Sequence, residues 1–265
     1  MQPHCNQGND GQRTRQREAT DSPSRYRVAL AGNPNTGKST LFNALTGLRQ
    51  HTGNWPGKTV LHAEGTYHHN GETYTLIDLP GTYSLYSNSV DEEVARDHIV
   101  FDQPDVTVVV LDATALERNL NLALQVLEMS ERVVVCVNLM DEAKRKGIQI
   151  NERKLSDRLG VPVVKTSARD GVGLEELKQV ISRMAGGKIA THPYRIRYEE
   201  ELEAKIAELE PDIRKIFGNR LPARWVALRL LDGDTSLVEA LKERIGKEGA
   251  ENDGTVNRSP YPVEA

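Results

Sequence analysis

The stretch "ALAGNPNTGKSTLFNALTG" at residues 29–47 constrains the fold more than any other part of the chain. An apolar run of strand length leads into it and a helix-like apolar spacing leaves it. Between them lie two glycines, two asparagines, a proline and a lysine. Residues 32–39 read G-N-P-N-T-G-K-S, a match to G-x-x-x-x-G-K-[ST]. Each part of that pattern has a physical reason. Glycines let backbone N–H groups turn inward around anionic oxygens with no Cβ in the way. The helix that begins at about Lys38 adds its positive N-terminal end. Lys38 is placed to reach the β- and γ-phosphates, and Ser39 to set its hydroxyl on Mg²⁺. The motif follows a predicted strand and opens a predicted helix, the context that separates a phosphate cradle from an ordinary glycine turn. The candidate contacts are therefore Gly32, Asn33, Pro34, Asn35, Thr36, Gly37, Lys38, Ser39 and Thr40.

A cradle of this kind needs an open α/β sheet, and the rest of the chain supplies one. Strand-like runs occur at "YRVALAG", "VLHAEGTYHHNG", "ETYTLIDLPG", "DVTVVVLDAT", "RVVVCVNLMD" and "PVVKTSA". Helix-like segments alternate with most of them: "KSTLFNALTG", "VDEEVARDHIVF", "LERNLNLALQVLEMS", "NERKLSDRLG" and "GLEELKQVISRM". This rhythm predicts an α/β domain over 25–188 with a six-stranded, mostly parallel sheet covered on both faces. Asn70-Gly71 marks a hairpin, so the second and third predicted strands pair antiparallel. The alternation stops near Met184. "EEELEAKIAELEPDIRK" and "PARWVALRLLDGDTSLVEALKERI" have helical spacing and predict a small all-helical domain over 189–248. Residues 1–24 are polar and without periodicity, which predicts a disordered leader, and 249–265 read as a flexible tail.

Composition excludes several classes. No apolar run approaches the roughly eighteen residues needed to cross a bilayer. The start of the chain has no apolar core of a secretory signal. A net charge of −4 gives no general grip on nucleic acid. The two cysteines, Cys5 in a polar tail and Cys136 in an apolar run, argue against a disulfide framework and for a reducing cytoplasm.

Three later stretches choose the nucleotide. "DLPG" at 78–81 ends a predicted strand, which puts Asp78 on the ligand-binding edge of the sheet. There Asp78 is suited to hold Mg²⁺ through water, and the Gly81 N–H to meet the γ-phosphate. "NLMD" at 138–141 ends another strand. A carboxylate at Asp141 accepts the paired N1–H and 2-amino donors of guanine, a pair that adenine lacks. As a plain structural feature, the same tetrapeptide is a helix N-cap. "TSA" at 166–168 adds a backbone N–H for the guanine oxygen, with Ser167 and Ala168 beside Asn138 as candidate base contacts.

The order GNPNTGKS, Thr59, DLPG, NLMD, SA resembles the five-motif set of small GTP-binding proteins. "GNWPGKTV" at 53–60, with "DLPGTYSL" and "VARDHI", is more particular. Together with "GNPNTGKSTLFNALTG" it closely resembles the cytosolic GTPase domain of ferrous iron transport protein B, FeoB. The resemblance covers about residues 25–245. It implies a Ras-like P-loop GTPase followed by a helical guanine-dissociation-inhibitor-like domain. In that family a polytopic membrane domain follows, so the chain is expected to be an excised soluble portion working on the cytoplasmic side of the bacterial inner membrane. The implied cofactors are Mg²⁺, held by Ser39, Thr59 and Asp78, and K⁺, held by Asn35. The implied catalytic set is Asn35, Lys38, Thr59 and Gly81, acting on GTP to give GDP and phosphate. The implied partner is the membrane-embedded iron permease domain, with no nucleic acid, and the resemblance admits an oligomer through the helical domain.

Two departures stand out. Thr82 occupies the place where Ras-like proteins keep a water-orienting glutamine, so slow intrinsic turnover is expected. Leu139 replaces the lysine of N-K-x-D and lacks the charged stem that covers the base. The acidic segment 91–97 reads as a solvated amphipathic face in preference to a relay between the switches and the helices. His51, His62, His68 and His69 show no metal spacing and read as surface histidines. The alternative function is a soluble ribosome- or RNA-associated assembly GTPase, which shares "GNPNxGKSTL" but normally carries a basic appendage. An ATP-dependent kinase or pump and a non-catalytic binding module complete the set.

Overall fold

The computed structural model describes residues 25–47, 50–55, 58–86 and 89–251. The expected leader and residues 252–265 of the expected tail lie outside the described residues.

One sheet of seven strands organises the first part, in the order β2-β3-β4-β1-β5-β6-β7. The strands are β1 (Arg25–Gly32), β2 (Gln50–Asn54), β3 (Leu61–His69), β4 (Glu72–Asp78), β5 (Val106–Asp112), β6 (Val133–Asn138) and β7 (Val163–Lys165). β1 runs parallel to β4 and β5, and β6 runs parallel to β5 and β7. β3 pairs antiparallel with β4 through the Asn70-Gly71 turn, where both residues have positive φ, 52° and 80°. That is the type I′ geometry asparagine-glycine favours. The expected count of six is corrected by β2, which pairs antiparallel with β3 from Gln50–Gly65 to Asn54–Leu61. "QHTGN" has no apolar alternation, and residues 51–54 are exposed. The backbone ladder alone makes it a strand, so no side-chain pattern announces it.

Helices cover both faces: α1 (Lys38–Thr46), α2 (Val90–Asp97), α3 (Leu116–Met129), α4 (Met140–Arg145), α5 (Glu152–Leu159) and α6 (Leu174–Ala185). A π-helical turn, His98–Asp102, extends α2. The alternation along β1 shows how the strands serve two cores. Val28 and Leu30 pack with Leu41, Phe42 and Leu45 of α1 and with Leu177 and Ile181 of α6. Ala29 and Ala31 face the other side, among residues of α2 and α3. A central parallel strand must be apolar on both faces, and "VALA" satisfies this with large residues on one side and small ones on the other.

Residues 186–199 carry no helix or strand and lead to α7 (Glu200–Phe217), α8 (Ala223–Leu231) and α9 (Thr235–Glu251). α9 continues past residue 248, where composition predicts the tail to start. Ile206 and Ile213 of α7, Trp225 and Val226 of α8 and Leu237 of α9 join the same apolar cluster as Val94, Ile99 and Leu122. The helical part therefore closes one face of the α/β layer and shares its core. Within the helical part, Arg224 of α8 makes a two-point pair to Glu203 of α7 at 2.7 and 2.8 Å, and this bonding pulls the Glu203 carboxyl down to about 2.

Candidate functional site

The phosphate loop connects β1 to α1 at the C-terminal edge of the parallel strands. Two of its glycines are sterically required. A Cβ on Gly32 would sit 2.7 Å from the Val110 carbonyl oxygen of β5. Gly37 has φ of +78°, and a Cβ there would lie 2.5 Å from Asn138 Nδ2. Asn35 also adopts the left-handed region, at φ 66°, a conformation asparagine tolerates better than other side-chain-bearing residues. Its side chain is exposed, as are Ser39 and Thr40 in the first turn of α1. Asn33 and Thr36 are buried, and the Thr36 hydroxyl donates to the Asn33 carbonyl at 3.0 Å. Gly37 caps α1 without a side-chain bond, leaving the first amides of the helix directed outward as an anion-binding end.

Lys38 is 8% exposed and points across the loop to β4. Its ammonium donates to Asp78 Oδ1 and, at 2.5 Å, to the Leu79 carbonyl. Gly81 lies against the loop, a Cβ there falling 3.5 Å from Pro34 Cα. Thr82 is buried, and its N–H donates to the Gly32 carbonyl at 3.3 Å. Thr59 is exposed and shares with Pro80 and Gly81 the wall of an open cavity of about 460 Å³.

On the other side of the loop, Asn138 is fully buried and its Nδ2 donates to the Thr36 carbonyl at 3.0 Å. Asp141 and Ser167 hold each other. The Asp141 N–H donates to Ser167 Oγ at 2.9 Å, and the Ser167 hydroxyl donates to Asp141 Oδ1 at 3.1 Å. Arg145 lies 3.5 Å from Asp141 Oδ2. The Ala168 N–H is directed at Asn138 Oδ1, 3.1 Å away. Leu139 is left-handed at φ 62°, a strained state for this side chain, and its Cδ2 would be 3.4 Å from a Cβ on Gly37. The leucine thus leans on the phosphate loop.

Sequence reading missed three features. Thr166 supplies a hydroxyl to Asn138, a contact between strand ends that no spacing announces. Segment 91–97 is only partly solvated. Glu93 pairs with Lys58 at 2.8 Å, and Glu92 accepts from Ser84 at 2.8 Å. Arg96 is 1% exposed and reaches Ser236 of α9 at 2.7 Å, so α2 touches Lys58 before Thr59, Ser84 after Gly81, and the helical part. The third is Trp55, buried between His62 and His98 with ring centroids 4.6 and 5.3 Å away. Its backbone N–H donates to the Val60 carbonyl at 2.8 Å, and its carbonyl accepts the Lys58 N–H at 2.9 Å. A single tryptophan in a Gly- and Pro-rich stretch was the available signal.

Among these histidines, burial holds His62 below the ordinary value of 6.5, opposed by Glu64 and reinforced by His98. The fold therefore favours neutral His62. Its contribution is present above pH 6.5 and is withdrawn as pH falls from there toward the lower folded-state value. Thermal melts at about pH 7.5 and about pH 5.5 should show a loss on acidification that shrinks in His62→Phe, which keeps an aromatic ring and removes the charge.

The donor chemistry at the phosphate end suits magnesium. Ser39, Thr59 and Asp78 offer two hydroxyls and a carboxylate, the hard oxygens Mg²⁺ takes together with phosphate and water. Among the described residues, no group of three or more His, Cys, Asp and Glu side chains could hold a metal ion. No helix among them is long and apolar enough to cross a membrane.

The profile described as Ferrous iron transport protein B matches residues 26–181, and that of the FeoB cytosolic helical domain matches residues 198–256. The chain belongs to the FeoB family. It is 44% identical over 225 residues to the Fe(2+) transporter FeoB of Methanocaldococcus jannaschii, covering 82% of this chain and 32% of that protein. The Fe(2+) transporter FeoB of Escherichia coli K12 is 40% identical over 214 residues, covering 78% of this chain and 27% of that one. This chain thus spans about a third or less of the curated FeoB relatives it matches. Among solved structures, the cytosolic domain of T. maritima FeoB in a GDP form aligns with a TM-score of 0.75 at 39% identity, over 90% of this chain and 89% of that one. The cytosolic domain of L. pneumophila FeoB aligns at 0.72 and 35%, over 79% of this chain and 89% of that one. The Ras-like G-domain fold with a helical part behind it is therefore the FeoB cytosolic fold, and the matches favour FeoB over an RNA-associated assembly GTPase.

Proposed function

We propose that this chain is the Mg²⁺-dependent, GTP-binding and slowly GTP-hydrolysing switch portion of a ferrous iron transporter, acting at the cytoplasmic side of the inner membrane. In this reading residues 25–188 bind nucleotide, residues 189–248 form the helical regulator, and a membrane permease domain is the partner. The observation that carries it is the tie from Asn138 Nδ2 to the Thr36 carbonyl, which locks the base-reading loop against the phosphate loop on one sheet edge.

The residues then have distinct tasks. Amides of 35–39 and the end of α1 enclose the diphosphate, and Lys38 exchanges Asp78 and Leu79 for phosphate oxygens. Asp141, oriented by Ser167, reads the guanine donors. Ser39, Thr59 and Asp78 would hold Mg²⁺, which neutralises charge on the β- and γ-phosphate oxygens when bound. The Gly81 N–H meets the γ-phosphate. With Thr82 buried, no glutamine-like side chain orients water from that position, which fits slow turnover. The exposed Asn35 carboxamide is suited to hold K⁺, a monovalent charge that serves as an arginine finger would.

Phosphate release from GTP, compared in K⁺ and Na⁺ buffers, tests the reading. A faster rate in K⁺ that disappears in Asn35→Ala is expected. A K⁺ rate that survives the substitution refutes the ion-ligand role, and no release in either buffer leaves a binding module only.

A further inference from the structure

Thr59 is held through a tryptophan. Its two chain neighbours, Lys58 and Val60, both bond to the backbone of Trp55, at 2.9 and 2.8 Å. The Trp55 ring is 6% exposed and sits in the core, so its seat governs where Thr59 lies. The ring packs on His98 of the π-helical turn, with centroids 5.3 Å apart and an interplanar angle of 64°. His98 is 2% exposed. Its Nδ1 is 2.9 Å from Asp102 Oδ2, and Asp102 Oδ1 is 3.3 Å from Arg244 Nη2 of α9. Burial works against charge on Asp102, but His98 and Arg244 prevail and hold its carboxyl below the ordinary value of 3.8. A carboxylate only accepts, so the His98 proton is on Nδ1, and Nε2 of the neutral ring presents a lone pair. Among the described residues, two buried nitrogens of these packed rings have no hydrogen-bond partner: His98 Nε2, an acceptor, and Trp55 Nε1, a donor only. Each costs free energy while unmade, and the two are complementary.

We propose that His98 is a positioning residue for Mg²⁺–GTP binding. When Thr59 moves in to the metal, the indole N–H of Trp55 closes on His98 Nε2, and Asp102 fixes the tautomer able to accept it. This rests on the Mg²⁺–GTP reading above, in which His98 touches neither nucleotide nor metal. Thr59 is exposed, on the cavity wall it shares with Pro80 and Gly81. Drawing it inward pulls Lys58 and Val60, and through their backbone bonds the tryptophan. Arg244 ties the acceptor to α9, so the helical part bears on Thr59 through Asp102, His98 and Trp55. His62 also packs on the indole, with centroids 4.6 Å apart, but it is half-buried and its nitrogens are not among the buried unpartnered atoms.

The experiment uses the full chain at about pH 8, where an ordinary imidazole is neutral. It reads the affinities of a fluorescent, non-hydrolysable GTP analogue and of fluorescent GDP in magnesium buffer. It also follows the indole N–H proton resonance of Trp55, assigned by its loss in Trp55→Phe. That resonance should move downfield with the GTP analogue and stay in place with GDP. His98→Phe keeps a ring and removes the acceptor. It should abolish the shift and weaken the analogue about fivefold, the effect of one neutral hydrogen bond, with GDP within about twofold of the parent. His98→Gln, which can present an oxygen near the place of Nε2, should restore the analogue to within about twofold, the reverse of the order that packing alone gives. Asp102→Asn admits the other tautomer and should behave as His98→Phe. In a Trp55→Phe background, His98→Phe should cost nothing further. His62→Phe should keep the shift. If His98→Phe does not fold, the parent shift and Asp102→Asn decide. A resonance unmoved by the analogue, a shift that survives His98→Phe or Asp102→Asn, or additive losses in the double variant overturn the proposal. A parent that binds neither nucleotide overturns the nucleotide reading and this role with it. A parent that binds both with its indole resonance unmoved overturns only the role of His98.

Discussion

Asp141→Asn should weaken GDP binding by about two to three orders of magnitude while improving the binding of xanthosine diphosphate. A carboxylate presents two acceptors to the N1–H and 2-amino group of guanine. Hydrogen bonds involving a charged partner contribute about 1.5–3 kcal/mol each, and every 1.4 kcal/mol is tenfold. Asparagine keeps one acceptor and turns a donor toward the 2-amino group, a like-with-like contact that xanthine's 2-oxo group relieves. The local structure should survive the change. Ser167 both accepts from the Asp141 N–H and donates to Oδ1, and its hydroxyl can rotate to suit an amide. Arg145, two-thirds exposed and 3.5 Å from Oδ2, loses only a surface pair. Competition of GDP and xanthosine diphosphate against a fluorescent guanine nucleotide measures both effects. If the variant holds GDP as well as the parent does, Asp141 does not face the base.

Lys38→Ala carries the second large effect, and it acts on two quantities. On binding, the loss of a charge-assisted contact to phosphate should weaken GDP and GTP about 10- to 100-fold and abolish hydrolysis. On stability, Lys38 and Asp78 form a largely buried pair, with side chains 9% and 15% exposed. Removing one member leaves a carboxylate without its counter-ion, which costs about 3–5 kcal/mol for fully buried pairs and less here because Asp78 keeps some solvent. The two effects separate in a double variant. Adding Asp78→Asn should recover much of the lost melting temperature, since the orphaned charge is gone, and should recover no binding. Denaturant melts and nucleotide titrations on the three proteins check this. A Lys38→Ala protein that binds GDP like the parent would refute the phosphate role.

Legibility differed between parts of the chain for identifiable reasons. The strand before Gly32, the glycines at 32 and 37 and the helix from Lys38 were readable because steric need and hydrophobic period both act within a few residues. The Asn70-Gly71 hairpin was readable because its turn demands two positive φ values. β2 was not, because backbone hydrogen bonds alone hold an exposed edge strand. α4 also escaped, being six residues in a polar stretch, too short to show a period. Segment 91–97 looked solvated because charge dominates its composition. Arg96 is buried against its neighbour Asp97 at 2.7 Å and against Ser236 at 2.7 Å and Asp234 at 3.7 Å, the last two about 140 residues further along.

Chemistry that acts through neighbours in the chain was thus written into residue order: which nucleotide class the loop suits, which face each strand turns inward, where helices start. Arrangements that need distant partners emerged only on folding. The Asn138–Thr36 tie spans 102 residues, and the shared core of α2, α3 and the last three helices joins segments whose helical spacing is local but whose packing partners are not. A hydrogen bond is directional and short, so its partners are set by where the sheet brings strand ends together, and spacing along a chain carries no record of that.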